Sequence, residues 1–457
     1  MKKVKIGISV FLTAVGGYIV ADAWDLVPGL FTTKPPLTAP LPYPQLNEVH
    51  LTQEPLPEFA TFTAEDSAHV RTILEEFRTD ARMSGLASVV VVDPQTKETL
   101  GALESQTPLR PASTMKYVTA VAALTTLGPN TTLDTHVTRS GDDIYLVGDG
   151  DVTLAAGDGD SKRVIGRAGL NDLAQQARAE LSRDGITAVT VHVDSSRYEE
   201  PLFHPQAVAE ENTEFVMPIR PIAVNRGKAS DDKFSAFVAE PDLAAANEFA
   251  ARLTESGISA TVADRAQSPQ DATEIARTHS APVRELIDVM MTESDNTLAE
   301  VFGHEVAIAS EQPATFAGAS KAVTQALVSG GYSTGGMVID DSSGLSDNNR
   351  VPAPLLAQVL QQAWECDKCK ISALGSALPV GGLEGTLAQR FLDSPARGMV
   401  RAKTGTLSTT TALAGFVTTK AGRPLILVAL VSDHQENAQR EIRGAIDDMV
   451  GKLVDTL

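Results

Sequence analysis

The sequence predicts an α+β protein. One antiparallel sheet draws strands from both ends of the chain, helices cover its faces, and a separate α+β region is inserted between. Three observations predict it. Two strand-like runs come early and about three come late, with helical patterns between them. Residues 130 to 278 differ in texture, with short β-like runs alternating with loops and two helical patterns. Apolar residues make up 43% and charged residues 21% of 457, which is globular composition with chain enough for two to three domains.

The elements follow in order. Lys2, Lys3 and Lys5 precede a charge-free run of 16 residues, Ile6 to Ala21, and Ala21-Asp22-Ala23 fits a small-x-small cleavage site. The run is short of the roughly 20 residues a span needs. Residues 1–23 therefore read as a signal peptide or a retained membrane anchor, and the rest as exported to the cell envelope or beyond. Seven prolines between Pro35 and Pro57 disfavour helix and central strand, so residues 24–61 read as a spacer. Ala64 to Arg82 has the i, i+3, i+4, i+7 stripe of an amphipathic helix in Val70, Ile73, Leu74 and Phe77. Leu86–Asp93 and Thr99–Leu103 read as strands. Ser113–Leu127 is helical and stops at Gly128-Pro129. In the insert, Ile144–Val147, Ala188–Val193 and Phe234–Ala239 look like strands, and 169–183 and 241–256 like helices. A helical pattern then runs unbroken from Pro282 to Ala309. Ala412–Thr419 and Leu425–Ser432 read as strands, and a final helix spans 435–454. Residues 62–129 and 279–457 thus form one domain, and 130–278 the inserted α+β region.

Charge and composition exclude several functions. Acidic residues outnumber basic ones 58 to 38, a net charge of −20, which repels nucleic acid. The eight histidines are scattered without metal-ligand spacing, there is no His-Glu-x-x-His pair, and no Gly-x-Ser-x-Gly elbow or nucleotide-binding glycine loop appears. No metal or other cofactor is implied. Cys366 and Cys369 are the two cysteines, and in an exported protein they are expected to form a disulfide; a zinc site would need two more ligands.

Three motifs carry chemistry. Ser113-Thr114-Met115-Lys116 puts a hydroxyl and an amine one helical turn apart, with Pro111 suited to a chain entering a helix. A serine is a weak nucleophile, and a buried, partly neutral amine beside it can take its proton. Ser230-Asp231-Asp232-Lys233 has the same spacing, but its carboxylates would hold the lysine protonated. Ser294-Asp295-Asn296 lies in the Pro282–Ala309 pattern, with a second copy at Ser346-Asp347-Asn348. Lys403-Thr404-Gly405-Thr406 follows a strand-like run, and Gly405 would let a substrate backbone approach closely.

Ser-x-x-Lys, Ser-x-Asn and Lys-Thr-Gly in this order resemble the triplet of the penicillin-binding proteins and serine β-lactamases. The 181 residues from Ser113 to Ser294 leave room for the insert, and the chain is similar to the D-alanyl-D-alanine carboxypeptidase/endopeptidase family of the penicillin-binding-protein-4 type. Gly148-Asp149-Gly150-Asp151-Val152-Thr153-Leu154, Asp341-Ser342-Ser343-Gly344-Leu345-Ser346 with Asn348-Asn349-Arg350, Leu378–Gly382, Gly385-Thr386-Leu387 and Leu298-Ala299-Glu300 fit it as well. Val152, Ser342 and Asp347 depart from its pattern. The resemblance implies a three-layer fold, with a five-stranded antiparallel sheet between helices. It implies a serine D,D-carboxypeptidase, or a D,D-endopeptidase, acting on peptidoglycan stem peptides and trapped covalently by β-lactams. Ser113 would attack the penultimate D-alanine carbonyl and Lys116 accept its proton. Ser294 and Lys403 would relay a proton to the leaving group, Lys403 also making the site positive. Asn296 would bind the substrate amide, Thr404 and Thr406, flanking Gly405, its terminal carboxylate and backbone, and the N–H groups of Ser113 and Thr406 the oxyanion. The second Ser-Asp-Asn copy becomes a structural turn. A serine β-lactamase and a non-catalytic wall-binding protein on the same fold are the alternatives, separated by turnover of a D-Ala-D-Ala peptide.

Overall fold

The computed structural model describes residues 60–230, 232, 235–366 and 368–457. The N-terminal lysine-led segment, the proline-rich stretch up to residue 59 and Lys233 lie outside the described residues. Helix α1 (Ala64–Arg78) starts at a reciprocal capping box between Thr63 and Asp66, and buries the stripe its periodicity predicts. β1 (Leu86–Val92) and β2 (Thr99–Leu103) follow, then a 3₁₀ turn over Ala112–Met115 that leads into α2 (Lys116–Thr126). Next come β3 (Asp134–Ser140), β4 (Asp143–Asp149), α3 (Leu170–Arg183), β5 (Ala188–Asp194), α4 (Pro241–Glu255), β6 (Ser259–Val262) and β7 (Thr273–His279). The chain then forms α5 (Val283–Glu293), α6 (Asn296–Ala309), α7 (Phe316–Ser329), α8 (Ala353–Glu365), β8 (Val400–Leu407), β9 (Thr410–Thr418), β10 (Pro424–Ser432) and α9 (Gln439–Thr456).

The first sheet has the order β2-β1-β10-β9-β8 and is antiparallel throughout. Central β10 is buried along its whole length, which is why it reads as an unbroken apolar run rather than an alternation. Alternate strand residues serve two cores. Val90, Val92, Ala414, Ile426 and Val428 pack with the helices from α2 and α5 to α8. Val89, Val91, Leu413, Leu425 and Leu427 pack with α1 and α9. The result is helix, sheet, helix: the expected three layers. A second sheet, β6-β5-β4-β3-β7, is mixed, with β4–β5 and β5–β6 parallel, and packs on α3 and α4 through Leu170, Leu173, Phe249 and Leu253.

The structure departs from the sequence reading in four places. The strand expected at Phe234–Ala239 is, among the described residues, only an isolated bridge between Lys228 and Phe237. β3 and β7, rich in polar residues, carry no apolar alternation strong enough to show, and β6 is only four residues long. The helix expected from Pro282 to Ala309 is two helices, broken at Ser294. Tyr198, Val216, Met217, Ile219 and Ala223, although between strands of the second sheet in sequence, pack into the main core with α2 and α6. Cys366 and Cys369, just past α8, are bonded to each other. No helix among the described residues is long and apolar enough to cross a membrane.

Candidate active site

Ser113 sits in the 3₁₀ turn rather than at the first turn of an α-helix, so its hydroxyl is placed by the turn and not by a helix N-terminus. Ala112 before it is left-handed, with φ 46°, a strained conformation for a non-glycine residue of the kind that collects at functional sites. Two glycines let the chain close around this turn. A Cβ on Gly344 would lie 2.0 Å from the Ala112 carbonyl oxygen. A Cβ on Gly405 would lie 2.8 Å from the Pro111 carbonyl oxygen, so the backbone approach that Gly405 permits is that of the chain's own Pro111–Ala112 turn.

Lys116, at the start of α2, is completely buried. Its Nζ lies 3.2 Å from Ser113 Oγ, 2.6 Å from Asn296 Oδ1 and 2.7 Å from the Ser343 carbonyl oxygen. Burial lowers its pKa to about 8, against the opposing pull of Asp341, Glu300 and Asp295. A neutral amine has two N–H donors and one lone pair. The amide and carbonyl oxygens take the two donors, which leaves the lone pair for the Ser113 hydroxyl proton.

Lys403, on β8, is also completely buried, and its Nζ lies 2.8 Å from Ser294 Oγ and 2.8 Å from the Thr404 carbonyl oxygen. Burial, and secondarily the charge of Lys116, hold its pKa well below the usual lysine range. The same burial favours its neutral form, the state in which it can exchange a proton with the Ser294 hydroxyl. Thr404 Oγ1 donates to Thr386 Oγ1 at 2.9 Å. Gly405, the next residue of the strand, is buried and Thr406 is exposed.

Ser294 ends α5 in the left-handed region, with φ 64° and ψ 40°. Asp295 caps α6, its side chain accepting from Leu298 N at 2.9 Å. Asn296 Nδ2 donates to the Phe215 carbonyl oxygen at 2.9 Å while its Oδ1 accepts from Lys116. The structure thus brings Ser113, Lys116, Ser294, Asn296, Lys403 and Thr404 together from four elements. A cavity of about 720 Å³ opens beside Ser294 and Asn296, with Phe215, Arg226, Phe237 and Gly385 on its walls. Ser230, in the rival motif, is exposed in a loop and hydrogen-bonds within it, to Ser235 and Asp232. In the second Ser-Asp-Asn copy, Asp347 pairs with Arg110 at 2.8 Å and Ser346 N donates to Asp341, so the copy is a turn.

Several residues of this site escaped the motifs. Glu300 is buried on α6 and accepts from Ser342 N and Ser343 N, at 3.2 and 2.8 Å. Burial, reinforced by Asp341, raises its pKa. Asp341 accepts from Gly344 N and Ser346 N, so the two carboxyls fix the turn whose carbonyl holds Lys116. Both lay inside stretches that carried the resemblance, which was the one available signal. Phe215 and Arg226 had none, because their loop has no periodicity.

The chain matches the D-Ala-D-Ala carboxypeptidase 3 (S13) family over residues 70–232 and 228–453. It is 34% identical over 427 residues to a carboxypeptidase of Mycobacterium tuberculosis, covering 91% of this chain and 89% of that one. It is 36% identical over 379 residues to the carboxypeptidase DacB of Mycolicibacterium smegmatis, covering 81% and 80%. Penicillin-binding protein 4 of Haemophilus influenzae has the same fold, with a TM-score of 0.67 at 20% identity over 85% of this chain and 99% of that one.

Proposed function

The chain belongs to the D-Ala-D-Ala carboxypeptidase 3 (S13) family, and from that premise we propose that it removes the terminal D-alanine of peptidoglycan stem peptides through an acyl-enzyme on Ser113. It is a serine-type D-Ala-D-Ala carboxypeptidase acting at the cell envelope. The observation that carries the choice of nucleophile is the setting of Lys116. Asn296 Oδ1 and the Ser343 carbonyl oxygen take two of its N–H groups, and its third direction faces Ser113 Oγ at 3.2 Å, an N–H in the ammonium and the lone pair in the neutral amine.

In this reading the Ser113 oxygen bonds to the penultimate D-alanine carbonyl carbon as Lys116 takes the hydroxyl proton. The carbonyl oxygen becomes an oxyanion, held by the N–H groups of Ser113 and Thr406. The C–N bond then breaks, and the departing D-alanine nitrogen takes a proton through Ser294 and Lys403. Water attacks the ester, Ser113 regains its proton, and the shortened peptide leaves. Asn296 keeps one Nδ2 hydrogen for the substrate carbonyl, since its other goes to Phe215. Thr404 and Thr406 receive the terminal carboxylate. On cross-linked peptides the same steps give D,D-endopeptidase activity. Residues 1–23 direct export, either cleaved after Ala23 or kept as an anchor through residues 6–21; N-terminal sequencing of the exported protein distinguishes these.

β-Lactams present a strained amide in place of the scissile bond, and their leaving amine stays tethered. A solved penicillin-binding protein 4 of Haemophilus influenzae is described in complex with a β-lactam. Incubation with benzylpenicillin should add one penicillin mass per chain, on the peptide that holds Ser113. Ser113→Ala should lose both the adduct and D-alanine release, whereas Ser230→Ala should keep both. An adduct on Ser113→Ala defeats the assignment, and rapid catalytic loss of penicillin would point to a β-lactamase.

A further inference from the structure

Ser294 is held in a left-handed conformation, φ 64°, at the point where α5 ends and α6 begins. No glycine relieves that turn, and its hydroxyl must still meet Lys403 at 2.8 Å. The restraint comes from outside both helices. Arg226 Nη1 reaches Glu293 Oε2 at 2.6 Å and Asp295 Oδ2 at 3.1 Å, the residues on either side of Ser294. Its side chain is only 9% exposed. Two further bonds come from the same stretch of chain. Asn296 Nδ2 donates to the Phe215 carbonyl oxygen, and Met217 N donates to Thr297 Oγ1 at 3.2 Å. Four consecutive non-serine positions around Ser294, namely 293, 295, 296 and 297, are therefore held by residues 215–226.

Arg226 is itself held under strain. Asn225 and Arg226 are consecutive left-handed residues, with φ 44° and 60°, and Arg226 N donates to the Val152 carbonyl oxygen at 2.6 Å. A surface ion pair would need neither the burial nor the backbone distortion. We propose that Arg226 is a positioning residue of the acylation site, the brace by which the inserted stretch fixes the Ser294–Asn296 turn against Ser113, Lys116 and Lys403. Both carboxylates are met by the one nitrogen, Nη1, so a lysine ammonium placed there could make part of the same contact. Asp295 then has two partners, Leu298 N on one oxygen and Arg226 on the other, so the guanidinium acts on the cap that starts α6.

The proposal rests on the reading of Ser113 as nucleophile, and one experiment separates the two. Stopped-flow reaction with benzylpenicillin resolves the pre-acylation affinity from the acylation rate constant. Arg226→Ala should slow acylation about 10- to 100-fold, the scale on which misplacement by about 1 Å costs rate. The pre-acylation affinity should change less, and Arg226→Lys should recover part of the rate. Asp295→Asn keeps the capping oxygen but removes the charge that Arg226 grips. It should slow acylation too, and the double variant should be little slower than Arg226→Ala alone. If Arg226→Ala does not fold, the Lys and Asn variants and their combination carry the same comparison. The brace is overturned if the folded variants acylate within about twofold of the wild type, or if the separate losses multiply in the double variant. No adduct on the wild-type Ser113 would instead defeat the catalytic reading beneath it.

Discussion

Lys116 is anchored by a hydroxyl, an amide oxygen and a carbonyl oxygen rather than by a carboxylate. Asp341, Glu300 and Asp295 pull its pKa up from a distance. Burial outweighs them, and the pKa falls to about 8. The base must be neutral to accept the Ser113 proton. The acylation rate with benzylpenicillin should therefore rise with pH and level off above about 8, falling roughly tenfold per unit on the acid side. A rate flat from pH 6 to 9 would remove Lys116 from the base role. Lys116→Ala should keep native circular dichroism and lose about 10²- to 10⁴-fold in acylation rate. The partnership of Ser113 with Lys116 was legible because it is local: two side chains three positions apart on a helical turn must meet. Glu300 and Asp341 are 41 residues apart in sequence, and what joins them to Lys116 is the packing of a turn on a helix. No pattern along the chain encodes that meeting. The lowered pKa of Lys403 was hidden for a related reason, since it depends on complete burial beside a second lysine.

Among the elements, the strands of the first sheet were legible, because β1, β9 and β10 are dense in β-branched and aliphatic residues. The break between α5 and α6 was not. Apolar periodicity runs across it, and its left-handed residue is a serine where a glycine would have announced a stop. Only Asp295, a strong N-cap type, hinted at a new helix start. β8 illustrates how closely element and site are fitted. Gly405→Ala would set a methyl group 2.8 Å from the Pro111 carbonyl oxygen and 3.1 Å from Ala112 Cβ. β8 must then move off the turn that carries Ser113, or the turn must yield. The expected cost is about 1–3 kcal/mol of stability, together with slower acylation, read by urea unfolding and by penicillin kinetics on the same preparation. Unchanged kinetics would mean that the turn absorbs the methyl group without moving Ser113. At the end of α8 the bond between Cys366 and Cys369 closes a very short loop, worth about 2 kcal/mol on the chain-entropy account. Thiol titration of the denatured, unreduced protein should find no free thiols.

At the scale of the molecule, the change in texture over residues 130–278 did not foretell how that stretch packs with the rest. A sequence places Tyr198 to Ala223 between strands of the second sheet; only the fold sends them into the main core. The tie is electrostatic as well as apolar. Glu305, on α6 and nearly fully buried, accepts from Arg197 Nε and Nη2 at 2.8 and 2.7 Å and from Tyr198 Oη at 2.8 Å. A Cβ on Gly150, just past β4, would lie 2.7 Å from the same carboxylate, so the second sheet also closes on it. Replacing Glu305 by alanine would leave Arg197 without its bidentate partner and Tyr198 without its acceptor. Breaking such a pair costs about 3–5 kcal/mol where both partners are buried. Arg197 retains 30% exposure and can turn to water, so the lower end, about 3 kcal/mol, is expected. Because the stretch from Tyr198 to Ala223 is packed into the main core and Glu305 ties it there, the loss should lower a single unfolding transition rather than release the second sheet alone. Denaturant unfolding followed by circular dichroism and by retention of a fluorescent penicillin adduct's native emission should give coincident midpoints. Both should shift down together in Glu305→Ala. Two separated transitions in the wild type would show that the second sheet unfolds on its own, and that Glu305 clamps two independent bodies instead of lying within one.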